Sequence, residues 1–196
     1  MYTGVIVNEK IQARLDQIFP KVTKEDFIFG RGLGNEIAFY IFDYLPEHEI
    51  EVRKHIDFML KRIKTHTKLN VINVDLFKLI IDQLKLRGLL DKATKLERNQ
   101  GGHKLWKAIR APLKPENLVK LFEQKVGPKD YDLVFVTGVG SAWPLIRSHS
   151  LLNNLQPVMG STPLILFYPG RFDGQTVQLF GRLKSNPYYR AFQLIP

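Results

Sequence analysis

The chain has 196 residues, with 29 Lys and Arg against 19 Asp and Glu, and no cysteine. The lack of cysteine excludes disulfide bonds, thiolate zinc sites and a cysteine nucleophile. An apolar fraction of 44% with 24% charged residues is typical of a globular domain, and it excludes collagen-like, coiled-coil and disordered classes. Residues 1–16 lack a signal-peptide pattern, and the longest uncharged stretch, 148–170, contains Asn and Pro. We therefore expect a cytoplasmic protein without membrane contact.

The first 88 residues alternate between helix and strand patterns. Residues 37–44 form a nearly continuous apolar and aromatic run, which predicts a strand buried on both faces. Pro46 suits the first turn of a helix, Asp75 is placed to cap the next helix, and Gly88 to end it. The predicted elements are a helix over 8–19, a glycine turn over 30–34, a strand over 37–44, a helix over 46–64, a strand over 69–74 and a helix over 76–88.

The second half of the chain continues this rhythm. Residues 91–126 predict two or three helices. They are followed by a strand over 133–137, a turn over 138–141, a helix over 142–155, a strand over 164–168 and last strands over 177–180 and 188–194. Unbroken apolar strands joined by amphipathic helices predict an α/β fold: three layers, a mostly parallel sheet of about five strands, and helices on both faces. We expect a single domain over 1–196, with a helix-rich basic insertion at about 76–126.

Two glycine-rich turns are candidates for ligand-binding loops. Gly138, Gly140 and Ser141 follow a predicted strand, where backbone N–H groups and a helix start can hold an anion. The alternative is a tight strand-to-helix turn with Ser141 as the N-cap, since the third glycine of a dinucleotide fingerprint is missing. The turn over 30–34 precedes a strand, and the chain contains no Gly-Lys-Ser/Thr, so a structural turn is expected there instead of a Walker A loop.

The histidines and the strand-end carboxylates form no recognisable catalytic pattern. No two of the five histidines are three or four residues apart, as a shared metal on one helix would require, and His149 falls on a predicted core stripe. Asp43 and Asp75 both end predicted strands, where they can act as a pair or serve only as turn and helix-cap residues. We therefore expect no catalytic residues, no metal and no cofactor, and a protein that is not an enzyme.

Positive charge is concentrated in the predicted insertion, where 12 Lys and Arg accompany five Asp and Glu over residues 76–126. A localised excess indicates an anionic partner better than net charge does. Lys104, Lys107 and Arg110 recur every third residue, so on a helix they form a row that can follow a phosphate backbone. Nucleic acid, an acidic protein and a merely solvated helix face all stay open. The residues assigned to this surface are Lys95, Arg98, Lys104, Lys107, Arg110 and Lys114.

Three stretches carry a resemblance to a known family. They are residues 30–56 (GRGLGNEIAFYIFDYLPEHEIEVRKHI), 79–92 (LIIDQLKLRGLLDK) and above all 137–192, which begins TGVGSAWPLIRSHSLLNNLQPVMGSTPLILFYPGRFDG. Over residues 27–196 the chain resembles the BrxB family of BREX bacteriophage-exclusion systems. Members of that family are encoded beside a DNA methyltransferase, an AAA-type ATPase and a PglZ-type phosphatase-like protein.

The resemblance implies a role in phage defence, and it supplies no catalytic motif. By fold analogy it implies a core like that of P-loop NTPases without the Walker motifs. Our leading hypothesis is a non-enzymatic adaptor, monomeric in isolation, that docks the PglZ-type protein or the ATPase. The alternatives are a sequence-independent DNA-binding subunit of the same system and, third, a nucleotide-binding or anion-binding domain.

Overall fold

The structure is a computed structural model that describes residues 3–30, 38–127, 130–184 and 191–196. Most of the glycine turn predicted over 30–34 lies outside these residues, as do part of the strand predicted over 188–194 and the side chain of His149. No helix in the described ranges is both long and apolar enough to cross a bilayer.

The strands form a mostly parallel sheet, as the sequence predicts. Their bounds are β1 (Phe39–Tyr44), β2 (Val71–Asp75), β3 (Leu133–Thr137), β4 (Leu164–Phe172), β5 (Val177–Leu179), β6 (Leu183–Lys184) and β7 (Phe192–Gln193). Strands β2, β3, β4, β1 and β7 lie in that order and run parallel. β5 pairs antiparallel with the far end of β4, and β6 with β5. The α/β class is therefore confirmed.

β4 extends beyond its parallel neighbours in order to pair with β5. Gly170 lies where the two strands meet, and a Cβ at this position would collide with the carbonyl oxygen of Gln178. A residue without a side chain is required because the two backbones approach so closely. The hairpin that follows brings Phe180 against Gly140, at the end of β3.

Helices cover both faces of the sheet. They are α1 (Thr3–Asp16), α2 (Ile18–Val22), α3 (Glu25–Ile28), α4 (Glu49–His66), α5 (Leu76–Leu86), α6 (Leu90–Gln100), α7 (Gly102–Ile109), α8 (Pro115–Lys125), α9 (Val139–Ala142) and α10 (Ser148–Met159). A 3₁₀ turn, Pro46–His48, joins β1 to α4. The helices predicted over 91–126 are α6, α7 and α8, and with α5 they occupy the connection from β2 to β3.

Alternate residues of each strand supply the two halves of the core. On one face Phe42, Phe135 and Phe167 form a row across β1, β3 and β4, with ring centroids 5.8 and 5.4 Å apart. They belong to the same buried cluster as Ile56 and Met59 of α4. The intervening strand residues pack with α5, α8 and α10 on the other face. This alternation explains why the strands read as continuous apolar runs.

Local sequence signals fix several helix ends. The carboxylate of Asp75 accepts a hydrogen bond from the Lys78 N–H at 3.0 Å, so the predicted N-cap of α5 is confirmed. Gly88 has φ +62° and donates to the carbonyl of Lys85, while Leu89 donates to that of Leu84. These two bonds make a Schellman motif, which explains the predicted stop.

The helix predicted over 142–155 is wrong at its start. Pro144 has no N–H to donate, and it pushes the preceding residue, Trp143, into an extended conformation with ψ 140°. Helix α9 therefore ends at Ala142, and α10 begins at Ser148. Ser141 consequently lies inside α9 and is not an N-cap, because Gly138 takes that position.

Arg14 connects the first helix to both β1 and the last described residues. Its guanidinium donates to the carbonyl of Asp43 at 2.7 Å, to the carboxylate of Asp43 at 2.9 Å and to the carbonyl of Ile195 at 2.8 Å. It also reaches the carbonyl of Pro196 at 3.2 Å. Asp43 therefore lies within β1 as an ion-pair partner, and its assignment to a turn before Pro46 is wrong. The turn signal could not reveal a partner 29 positions away.

Candidate functional site

The carboxyl ends of parallel strands form the edge of a sheet where α/β proteins usually bind ligands. At this carboxyl edge α4 follows β1, α5 follows β2 and α9 follows β3. A hydrogen bond of 3.3 Å from Arg53 Nη2 to Ser141 Oγ joins α4 to α9. The predicted anion site therefore lies among the first turns of three helices.

Tyr44, Glu49, Arg53 and Ser141 form a group that we call the edge cluster. The Tyr44 hydroxyl donates to Glu49 Oε2 at 2.5 Å, and Arg53 Nε donates to Glu49 Oε1 at 2.6 Å. Burial raises the pKa of Tyr44, and the Glu49 carboxylate raises it further. The hydrogen bond to Glu49 also raises the pKa of Arg53. Tyr44 is thus held as a neutral donor, and the charges of Glu49 and Arg53 neutralise each other within the chain.

The glycine turn after β3 is closely packed. Gly138 has φ +73°, and a Cβ there would lie 2.7 Å from Oδ1 of Asp75. A Cβ at Gly140 would lie 3.1 Å from the Phe180 ring and 3.2 Å from Pro169. A carboxylate beside the turn repels an anion. Anion binding at Gly138, Gly140 and Ser141 stays a prediction, and the position of Asp75 weighs against it.

Asp43 and Asp75 do not form a pair. Strands β1 and β2 are three positions apart in the sheet, which separates them by roughly 14 Å at ordinary strand spacing. Each carboxylate also has its own role, since Asp43 binds Arg14 and Asp75 caps α5. Among the residues that the structure describes, no three His, Cys, Asp or Glu side chains come together as a metal site.

Helices α6 and α7 form a helical hairpin; of the predicted row, Lys104 and Lys107 lie on α7 and Arg110 directly follows that helix. Lys95 and Arg98 are exposed on α6, and Lys104 and Lys107 are exposed on α7. None of these four forms an ion pair with a carboxylate in the described part of the chain. These four cations are therefore exposed without an ion-pair partner among the described residues, and their contact with an anionic partner stays a prediction.

Arg110 and Lys114, the other two predicted cations, border a cavity of about 420 Å³ that we call the basic cavity. It lies between the connection from α7 to α8 and the segment that precedes α10. Its lining includes Trp106, Arg110, Lys114, Leu118, Arg147 and Leu151. Sequence reasoning missed Arg147, because this residue stands 33 positions after Lys114 and only the fold brings the two together.

Large apolar side chains are exposed near the starts of α4 and α5 and just after α9. We use the name edge surface for Ile50, Phe77 and Trp143, which lie at this edge on helices or connections from both faces of the sheet; their exposed fractions are 67%, 41% and 44%. Trp143 is held in a T-shaped contact with Phe180, with ring centroids 6.3 Å apart. Exposed aromatic side chains are characteristic of protein interfaces. The edge surface escaped sequence analysis because each residue stands alone in the sequence.

Comparisons with known proteins identify relatives over nearly the whole chain. A family model described as "BREX protein BrxB" matches residues 72–194. A "BREX protein BrxB" of Bacillus cereus (strain H3081.97) is 42% identical over 190 residues, which cover 95% of this chain and 98% of the relative. A second one, from Escherichia coli O9:H4 (strain HS), is 38% identical over 191 residues, covering 97% and 94%. No solved structure matches the chain.

Proposed function

The chain belongs to the BrxB family of BREX proteins, as its resemblance predicts, and from this premise we propose that it is a non-enzymatic adaptor of a BREX phage-exclusion complex. The adaptor docks a larger subunit of that system, either the PglZ-type protein or the AAA-type ATPase. In isolation it is a cytoplasmic monomer.

The observation that carries this proposal is the edge surface. Three large apolar side chains, Ile50, Phe77 and Trp143, remain in water near the starts of α4 and α5 and just after α9. Water-exposed aromatic side chains contribute strongly to binding when a partner covers them, because their burial removes apolar surface at a low entropic cost. Exposed apolar side chains of this kind favour a protein partner over a polar substrate.

The edge cluster supports a binding role over a catalytic one. Glu49 accepts from both Tyr44 and Arg53, so its carboxylate is already committed to partners within the chain. A general base needs an accessible lone pair and a pKa near the working pH. The cluster therefore favours a rigid platform for docking.

The test is complex formation on a sizing column. The purified protein is mixed separately with the PglZ-type protein and with the ATPase of its own system, at about 50 and 200 mM salt. One complex is expected to persist at the higher salt, because apolar burial depends little on ionic strength. Trp143→Ala is expected to weaken it by about tenfold or more.

Leu86→Ser is the matched control for this experiment. Leu86 is also exposed, at 69%, but it lies at the opposite end of α5 from Phe77. Its replacement should leave the complex intact. Recovery of neither large subunit at either salt concentration would refute the adaptor proposal.

A second candidate function is sequence-independent DNA binding by the α6–α7 hairpin. It is favoured by the exposed and unneutralised Lys95, Arg98, Lys104 and Lys107. Each phosphate contact contributes about −0.9 to the slope of log affinity against log salt. Lys104→Gln with Lys107→Gln should therefore flatten that slope by about 2, and a slope near zero for the unaltered protein would exclude this function.

A further inference from the structure

The basic cavity differs from ordinary surface hollows in its charge. Three cations, Arg110, Lys114 and Arg147, contribute to its lining, and none of the described Asp or Glu residues does. None of the three pairs with a carboxylate within the described ranges. Three like charges around one concave site repel one another, so the site carries a standing preference for a negatively charged occupant.

Two helix ends add to this positive charge. Lys114 is the N-cap of α8 and Arg147 is the N-cap of α10, and neither caps its helix through the side chain. The helix dipole makes an N-terminus positive, so cations at these two positions are unfavourable, whereas Asp or Ser would stabilise the helix. Glu116 in the first turn of α8 is not part of the cavity lining. Lys114 and Arg147 are unfavourable for the helices at whose N-termini they lie. Their presence there therefore indicates a role other than stabilising the fold.

Part of the cavity wall is apolar. Leu118 and Leu151, which are 1% exposed, contribute to this part together with other aliphatic side chains. Trp106 forms one side, and the Arg110 guanidinium lies over its ring at 4.6 Å from the centroid. This stacking positions Arg110 at the rim without neutralising its charge. A cavity of about 420 Å³ has the volume of a small-ligand site.

We propose that the basic cavity binds an acidic segment of a partner protein, with an apolar side chain of the segment inside and its carboxylates on Arg110, Lys114 and Arg147. The inference rests on the proposed function, since it assigns the chemistry of the docked partner. Interfaces of this kind combine an apolar anchor in a pocket with a charged rim. A DNA backbone would use the exposed row on the α6–α7 hairpin and would leave the apolar wall empty.

A peptide array tests the proposal directly. Peptides of 15 residues, tiled across every protein of the same BREX system, are probed with the full chain and with its Arg147→Glu and Lys114→Glu variants. Arg182→Glu is the matched control, because Arg182 is an exposed arginine between β5 and β6, outside the cavity lining. We expect the retained peptides to carry several Asp or Glu around a large apolar residue. Their signal should fall at least tenfold with either cavity variant and stay unchanged with Arg182→Glu.

Several outcomes would overturn the proposal: an array that retains no peptide, retained peptides without acidic residues, or a signal that Arg147→Glu leaves unchanged. Stabilisation by AMP or inorganic phosphate that Arg147→Glu abolishes, combined with an empty array, would reassign the cavity to a small anion. The array separates this inference from the adaptor proposal. If the array retains acidic peptides but no complex forms on the sizing column, only the adaptor proposal is refuted. If a complex forms and Arg147→Glu does not weaken it, only the cavity assignment is refuted.

Discussion

The edge cluster and the basic cavity both contain arginine beside aromatic side chains. They differ in whether a carboxylate of the same chain pairs with that arginine. At the edge cluster Arg53 Nε forms an ion pair with Glu49 Oε1 at 2.6 Å, and the Tyr44 hydroxyl donates a hydrogen bond to the other oxygen of Glu49. At the basic cavity Arg147 and Lys114 have no carboxylate partner in the described residues. Both occupy the N-cap position of a helix, where an acidic residue would be more favourable.

This difference separates residues that serve the fold from residues that serve a partner. A charge with its counter-charge inside the chain stabilises the folded state, whereas an unmatched charge in a cavity costs stability until a partner arrives. If this interpretation is right, changes at the carboxyl edge should lower stability, and changes at the cavity rim should raise stability while they abolish binding.

The largest effect is expected from Gly138→Ala. An alanine at φ +73° costs about 1 to 2 kcal/mol in backbone strain, and its Cβ would lie 2.7 Å from the Asp75 carboxylate. We expect a loss of about 3 kcal/mol in the free energy of unfolding, measured by urea denaturation. Gly88→Ala is the control, since Gly88 has φ +62° and nothing within 4 Å of a Cβ. Equal losses for the two variants would contradict the close packing described at the carboxyl edge.

Arg53→Met should have a smaller effect in the same direction. The substitution keeps the aliphatic stem and removes the ion pair with Glu49, in which Arg53 is about half exposed. Solvent screening limits the loss to about 0.5 to 1 kcal/mol. A double-mutant cycle with Glu49→Gln measures the coupling between the two side chains by chemical denaturation. A coupling energy of zero would remove the edge cluster from the residues that stabilise the fold.

Arg147→Asp and Lys114→Asp should each act in the opposite direction. Both backbones are extended at the N-cap, with ψ 115° and 144°, so an aspartate there can accept from the first turn of its helix. We expect each variant to gain about 0.5 to 1 kcal/mol in stability. Arg98→Asp should lose a few tenths, because Arg98 lies in the last turn of α6, where a cation is favourable. Destabilisation by both cavity variants would mean that these cations serve the fold.

The smallest effect concerns His55, whose pKa is lowered by burial, although Asp16 and the Leu15 carbonyl partly oppose this shift. As the pH falls, His55 is protonated near its usual pKa of 6.5 in the unfolded chain and only at a lower pH in the folded chain. Stability should therefore fall as the pH drops from about 7.5 to below the folded pKa. With His55→Gln, the free energy of unfolding, measured by urea denaturation at several pH values, should decrease less as the pH falls. An unchanged pH dependence would show that the protonation of His55 does not contribute to it.

Local chemistry made most of the fold predictable. The Asp75 cap, the Gly88 stop and the apolar strands each depend on neighbouring residues, so a single sequence contains them. The predicted helix start at residue 142 failed because the pattern of apolar residues outweighed the break at Pro144. The cavity could be predicted only in part, since Arg110 and Lys114 stand in the basic segment and Arg147 reaches them through tertiary packing.

The contacts of Arg14 have a consequence for the synthesis of the protein. Arg14 needs the carbonyls of Ile195 and Pro196, and β1 needs β7 along its second edge. At about 5 to 20 residues per second, roughly 8 to 30 s pass between translation of β1 and translation of these residues. During that interval the emerging chain carries an unpaired strand edge and an arginine without its acceptors. A nascent chain in this state exposes a strand edge to which other chains can pair, so β7 also protects β1 from aggregation.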